Sequence, residues 1–304
     1  LPGAASDAEP PAAFSDFQPS FDVTLLADIA YRKVGNDVLK LDIYAPRDGR
    51  GKSATVIHFH GGGWIKGTRQ EYVQRLAPYI EKGWIAVNVD YRLASTAQAP
   101  AAVEDCRCAL RWVLEHAEEY GIDRNRVVVT GGSAGGHLAL MAGMLPGASG
   151  FDRCPPFDDS AQTTPPAGPE PPVAAIVNWF GATDVAELLA GPYRRTFAVT
   201  WIGDGPGAED LARRLSPLSY VQPGVPPVAT VHGDADPTVP YSHATRLNEA
   251  MKRAGADHRL HTVRGGRHGN FTPAQYDEAW AQVFGFLGGL GLRGAGRSDW
   301  RDRP

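Results

Sequence analysis

Five short runs of branched and small apolar residues recur along the chain with room for a helix between them. They are "TVIHFH" (residues 55–60), "IAVNVDY" (85–91), "RVVVTGG" (126–132), "AAIVNWF" (174–180) and "PVATVHG" (227–233). Runs this short and this uniformly apolar are strands buried on both faces, which is how strands of a parallel sheet under helices read. Two more polar segments precede them, "VTLLADIAYRKV" (23–34) and "VLKLDIYAP" (38–46), and predict an antiparallel opening pair; "RLHTVRGG" (259–266) predicts a last strand. Between these lie helical patterns. In 100–120, Val103, Cys106, Leu110, Val113, Leu114 and Ala117 recur at three and four residues, and Gly121 ends the run. Residues 241–255 and 273–289 carry two more. Strand and helix alternating in this way predict an α/β protein, with a mostly parallel eight-stranded sheet and helices on both faces.

A composition of 43% apolar and 21% charged residues suits one globular domain, expected over 21–290. Residues 1–20 are small and proline-rich, the composition of a leader remnant or flexible linker. Residues 146–172, crowded with proline and glycine, read as a long surface loop. Residues 181–227 are too long for one connecting helix and carry Tyr193, Phe197, Trp201, Leu215 and Tyr220, so a small cap insertion is expected there. Residues 291–304 lack periodicity and are expected to be disordered. The net charge of −4, with no dense Lys/Arg block, argues against nucleic acid as a partner. No apolar run approaches the roughly 18 residues of a membrane span, so a soluble protein is expected. Oligomeric state is not written in the pattern.

The cysteines are Cys106, Cys108 and Cys154. Positions i and i+2 of a helix point apart, so Cys106 and Cys108 do not pair with each other. Either reaches Cys154 if its loop folds back, or all three remain buried thiols. The disulfide alternative, with the leader-like N-terminus, tilts the expected location towards a secreted or periplasmic one.

Residues 131–135, Gly-Gly-Ser-Ala-Gly, fit G-x-S-x-G between a strand and the helix-like "HLALMAGML". A serine on that sharp turn exposes its hydroxyl at a helix N-terminus, and glycines let strand and helix approach. The N–H of Ala134 then points where an oxyanion would form. Residues 60–64, His-Gly-Gly-Gly-Trp, close the strand at 55–60, and three glycines bring backbone N–H groups close to a ligand. His58 and His60 could instead be read as an H-x-H metal pair, but no third ligand follows at suitable spacing. A nucleophilic serine needs a base and the base an orienting acid. "DADPTVP" places Asp234 and Asp236 after one strand, and "RHG" places His268 after the last. Ser133, acid and His268 follow one another in the order of an α/β-hydrolase sheet.

With these residues the chain resembles the α/β-hydrolase superfamily, and within it the esterase/lipase group of hormone-sensitive lipase and the bacterial feruloyl-esterase-like carboxylesterases. "HGGGW", "DYRL", "GGSAGGH", "NWFGATD", "HGDADPTVP" and "GGRHG" carry the likeness, from about Val38 to about Leu287. The resemblance implies Ser133, His268 and Asp236 as the catalytic triad, with Asp234 structural in its turn. It implies an oxyanion hole from the N–H groups of Gly62, Gly63 and Ala134, with His60 bracing the glycine loop and Asp90 and Arg92 anchoring it. No metal and no cofactor are implied. The chain departs from the hormone-sensitive lipase branch, whose N-terminal cap is substantial, so a more open pocket is expected. Trp64 and Trp179 are expected to line it, and Phe180 either lines it with them or packs in the core. The implied activity is a serine carboxylesterase acting on short-chain or aromatic, including feruloyl or hydroxycinnamoyl, esters, free or linked to a polysaccharide. Aryl formamidase and prolyl oligopeptidase-type peptidase are the alternatives. A filled triad argues against a non-catalytic binding protein of this fold.

Overall fold

The computed structural model describes residues 23–46, 52–152, 154 and 173–294. Its strands are β1 (Val23–Val34), β2 (Asp37–Pro46), β3 (Ser53–Phe59), β4 (Ile85–Val89), β5 (Ile122–Gly132), β6 (Ala175–Trp179), β7 (Val228–Gly233) and β8 (His258–Val263). They form one sheet in the order β1-β2-β4-β3-β5-β6-β7-β8. β1 and β2 are antiparallel, as is β2 with β4, and the pairs from β4 through β8 are parallel.

Both sheet faces are covered. The helices are α1 (Ala77–Glu81), α2 (Ala101–Glu115), α3 (Ala134–Met144), α4 (Thr196–Ile202), α5 (Ala208–Arg214), α6 (Ser242–Arg253) and α7 (Pro273–Gly289). Successive strand residues face opposite ways. Val127 and Val129 therefore enter the core built with α2, α3 and α6, while Val128 enters the one built with α1 and α7. The wide apolar stripe expected along 100–120 is the buried face of α2. That helix ends at Glu115, and the chain continues in turns to Gly121. α7 begins with a capping box in which Thr272 and Gln275 satisfy each other's backbone N–H.

β3 lies between β4 and β5, so the connections leaving β3 and β4 run in opposite directions across the sheet. A crevice opens at the carboxyl ends of the strands at such a reversal, and loops there can converge on a ligand.

Residues 181–227 form α4, α5 and single 3₁₀ turns over that end of the sheet. Gln98 Nε2 donates to Thr200 O at 2.9 Å, Ala99 N to Trp201 O at 2.9 Å, and the Arg195 guanidinium to Pro237 O and Thr238 O, both at 2.8 Å. These bonds hold the insertion to the loop before α2 and to the loop after β7.

Two expectations change, at Leu292 and at Arg92. Leu292, in the stretch 291–304 expected to be disordered, is buried in the α1/α7 core; the rest of that stretch beyond Gly294 lies outside the described residues, as do 1–22. Most of the loop expected at 146–172 also lies outside them. Its described start is pinned: Arg107 donates to Ala142 O and to Asp152, Arg111 pairs with Asp152, and Cys108 is bonded to Cys154. Cys106 is the buried free thiol. Arg92 anchors α2 and not the glycine loop, because the fully buried Asp105 draws it into an ion-pair cluster with Arg32.

Candidate active site

Ser133 stands between β5 and α3 with φ 57° and ψ −120°, a backbone region that costs a non-glycine residue of the order of 1–3 kcal/mol. The flanking glycines make this turn feasible: a Cβ on Gly135 would lie 2.0 Å from Phe59 O, so strand β3 and helix α3 touch backbone to backbone there. Ser133 N donates to Trp179 O at 2.9 Å, tying the turn to β6.

His268 follows β8 and faces the serine. Its Nε2 is 2.8 Å from Ser133 Oγ, and its Nδ1 is 2.7 Å from Asp236 Oδ2. A carboxylate accepts, so Nδ1 carries the proton and Nε2 is left to accept from the serine hydroxyl. Phe180 meets the imidazole edge-on at 4.9 Å, and Tyr276 Oη donates to Gly269 O at 2.5 Å to hold the histidine's loop.

The Asp236 carboxyl is fully buried, and its other oxygen accepts from Thr238 N at 2.7 Å and Val239 N at 3.0 Å. Burial by itself raises a carboxyl's pKa; hydrogen bonds from His232 and His268 outweigh it and hold Asp236 well below the usual carboxylate range. Asp234 points elsewhere, accepting from Gly265 N at 2.6 Å and bracing the turn after β8.

The glycine loop follows β3. Ile65 N and Lys66 N both bond back to Gly62 O, at 3.2 and 3.1 Å, in a turn so tight that a Cβ on Gly62 would lie 1.9 Å from Lys66 O. The N–H groups of Gly62 and Gly63 donate to no backbone acceptor among the described residues, and Ala134 opens α3, where the first N–H groups have no partner within the helix. His60 lies under this loop, its Nδ1 2.7 Å from Gly61 O and its ring stacked on Tyr91 at 4.2 Å. Asp90 accepts from Arg69 N at 2.7 Å just beyond the loop. His58 pairs with Asn88 Oδ1 at 2.9 Å. Among the described residues no cluster of three or more His, Cys, Asp or Glu is arranged to hold a metal ion.

Trp64 is not a pocket wall. It is 1% exposed, stacked on Trp201 at 4.2 Å, and donates Nε1–H to His137 Nδ1 at 3.2 Å. The apolar cap insertion has taken its indole into the core. Trp179 is also mostly buried, packed on Trp280 at 4.6 Å, and the cavity it lines with His58, Arg75, Thr130 and Trp280 has room for about one water and borders neither Ser133 nor His268. Of the two roles left open for Phe180, its burial fits the core, with its ring edge against His268.

Sequence reasoning passed over two histidines here. His137, the last residue of "GGSAGGH", accepts from Trp64 and lies 2.7 Å from Leu215 O through Nε2, joining the serine helix, the glycine loop and the cap insertion. Burial pushes its pKa down to about 4, so it remains neutral. His232 sits one turn of chain before Asp236 and reaches the same carboxyl oxygen as His268, at 3.2 Å. Position in a known motif was the only signal for either.

A mostly parallel eight-stranded sheet with a serine on the turn after β5, an acid after β7 and a histidine after β8 defines the α/β-hydrolase class, and the chain belongs to its esterase/lipase group. Within it the chain is a member of the BD-FAE family, whose model matches residues 41–251. Esterase LipQ of Mycobacterium tuberculosis is 32% identical over 76% of this chain and 53% of its own. This chain thus spans about half the length of such curated relatives. The propionate-bound thermophilic esterase Est2 of Thermogutta terrifontis superposes with a TM-score of 0.71 at 29% identity, over 93% of this chain and 98% of that one. A truncated carbohydrate esterase from gut microbiota gives 0.74 at 25% identity, over 91% and 99%.

Proposed function

We propose that the protein is a serine carboxylesterase that hydrolyses short-chain or aromatic carboxylic esters through an acyl-enzyme. The observation that carries this reading is the unbroken chain of hydrogen bonds from Ser133 Oγ through both imidazole nitrogens of His268 to Asp236. Ser133 attacks the ester carbonyl while His268 Nε2 takes its proton. Asp236 holds the imidazole orientation and stabilises the imidazolium. The tetrahedral oxyanion is bound by the N–H groups of Gly62, Gly63 and Ala134, and one such donor is worth about 10²–10³ in kcat. His268 returns the proton to the departing alcohol, then activates a water that releases the acid and restores the serine.

The propionate bound by the Thermogutta esterase supports a short acyl chain for this protein. On the alcohol side, small-molecule or polysaccharide-linked esters are the expected substrates, and the gut relative, described as a carbohydrate esterase, supports that reading. The test is kcat/KM for an aryl butyrate beside methyl ferulate, with Ser133→Ala as the blank. Serine-dependent turnover favouring butyrate is expected. Turnover of neither ester sinks the reading, and a preference for ferulate reassigns the acyl specificity to hydroxycinnamoyl groups.

A further inference from the structure

We propose that His232 is a positioning residue of the same relay: its Nε2–H, shared with the Asp236 carboxylate, sets how strongly that carboxylate pulls on His268. The proposal rests on the reading of Ser133, His268 and Asp236 as the hydrolytic relay.

His232 is in β7, four residues before Asp236, and its side chain is fully buried. Its Nε2 lies 3.0 Å from Val239 O and 3.2 Å from Asp236 Oδ2. A carbonyl oxygen only accepts, so Nε2 bears the hydrogen, and the carboxylate shares it. Nδ1 of His232 has no hydrogen-bond partner among the described residues, so a second proton there would be buried unpaired. The site therefore accepts the neutral Nε2–H tautomer. Asp236 takes two backbone donors on Oδ1 and the His268 donor on Oδ2, and the His232 Nε2–H, bonded mainly to Val239 O, lies 3.2 Å from the same Oδ2.

Each donor disperses carboxylate charge. With three hydrogen bonds and the partly shared His232 N–H, Asp236 stays ionised although buried, yet attracts the His268 imidazolium less than it would without His232. The other polar groups facing this cluster come from several elements. Tyr241 meets the His232 ring at 5.9 Å. His243 of α6 accepts from Thr183 N at 3.0 Å, and burial lowers its pKa to about 3, so it is uncharged. Arg195 of the cap insertion bonds the carbonyls of Pro237 and Thr238, and Arg267 precedes His268 on its loop. Among these groups His232 is the one bonded to the carboxylate that also contacts His268.

The experiment compares His232→Leu, which removes the donor, with His232→Gln, which keeps an amide N–H, in the full chain with folding checked by thermal melting. For Leu, Asp236 loses a contact that fixes its orientation towards His268, and this misplacement should outweigh the stronger charge and lower kcat about tenfold with KM within about twofold. The acid limb of kcat/KM should move to higher pH, because Asp236 with one donor fewer stabilises protonated His268 more strongly. Gln should restore most of both. A folded Leu variant with unchanged kcat and pH profile overturns the proposal, as does a loss of kcat with an unmoved limb that Gln fails to rescue, since that is packing alone. Should Leu not fold, ¹⁵N-histidine NMR of the wild type decides: His232 is expected to carry its proton on Nε2, with that signal shifting when Ser133 is phosphonylated, and a proton on Nδ1 overturns the assignment. Absence of Ser133-dependent turnover in the wild type removes the esterase reading instead, leaving the nitrogen resonances to decide the His232 bond.

Discussion

Asp234 and Asp236 are two residues apart on one loop, yet their surroundings give them different work. The Asp236 side chain is fully buried and bonded to His268, whereas Asp234 is exposed and accepts one backbone N–H. Asp236→Asn should reduce kcat by about 10⁴ with the fold retained, since an amide misplaces the imidazole tautomer. Asp234→Asn should leave kcat near the wild-type value and cost about 1 kcal/mol of stability. Steady-state kinetics with thermal melts check both, and the reverse ranking in kcat would exchange their roles. Asp236 also has a pH signature. Its folded pKa is below that of the unfolded chain, so its stabilisation is complete above about pH 4 and is lost as pH falls further. The melting-temperature gap between wild type and Asp236→Asn should accordingly narrow below pH 4. The candidate nucleophile, acid and base were all legible as residue types after predicted strands. The burial of Trp64 was not, because nothing in "HGGGW" says that Trp201, more than a hundred residues on, will stack on it.

At the scale of elements, the serine turn depends on backbone contact that no side chain can relieve. Gly135→Ala would put a methyl 2.0 Å from Phe59 O with main chain on both sides, so a loss of about 3 kcal/mol or more is expected in urea unfolding, with activity falling as the turn shifts. Gly288→Ala, in α7 with nothing within 4 Å of the added carbon, should be neutral or stabilising by up to about 1 kcal/mol. Equal effects would show that helix propensity, and not close approach, governs the turn. Strand and helix positions were readable because apolar periodicity is local, and residues 273–289 were expected as a helix with the bounds observed. The ends of α2 and the contacts of the cap insertion were less so, since both depend on distant partners such as Arg195 with the loop after β7.

For the whole molecule, two features tie stability to conditions. The Cys108–Cys154 bond spans 46 residues, worth about 4 kcal/mol in the chain-entropy account. Cys154→Ser should lower the melting temperature on the order of 10 °C while leaving kcat within about twofold; an unchanged melt would mean that the ion pairs of Asp152 with Arg107 and Arg111 suffice. Burial lowers the pKa of His58 to about 3, His137 to about 4 and His243 to about 3. These are neutral in the fold but protonate in the unfolded chain below about pH 6.5, so stability should fall from there down to about pH 4, by roughly 2 kcal/mol per histidine at pH 5. Urea midpoints at pH 7.5 and 5 measure it, and equal midpoints would contradict this account.

Sequence by itself determined the α/β class, the strands and the residue types after β5, β7 and β8, because periodicity and turn chemistry act over a few neighbouring residues. Only the tertiary structure decided which cysteine pairs with Cys154, that Arg92 serves α2, that Trp64 is core, and that two histidines share one carboxylate oxygen. Each of these is set by distance in space between segments far apart along the chain, and by which polar groups burial obliges to find one another.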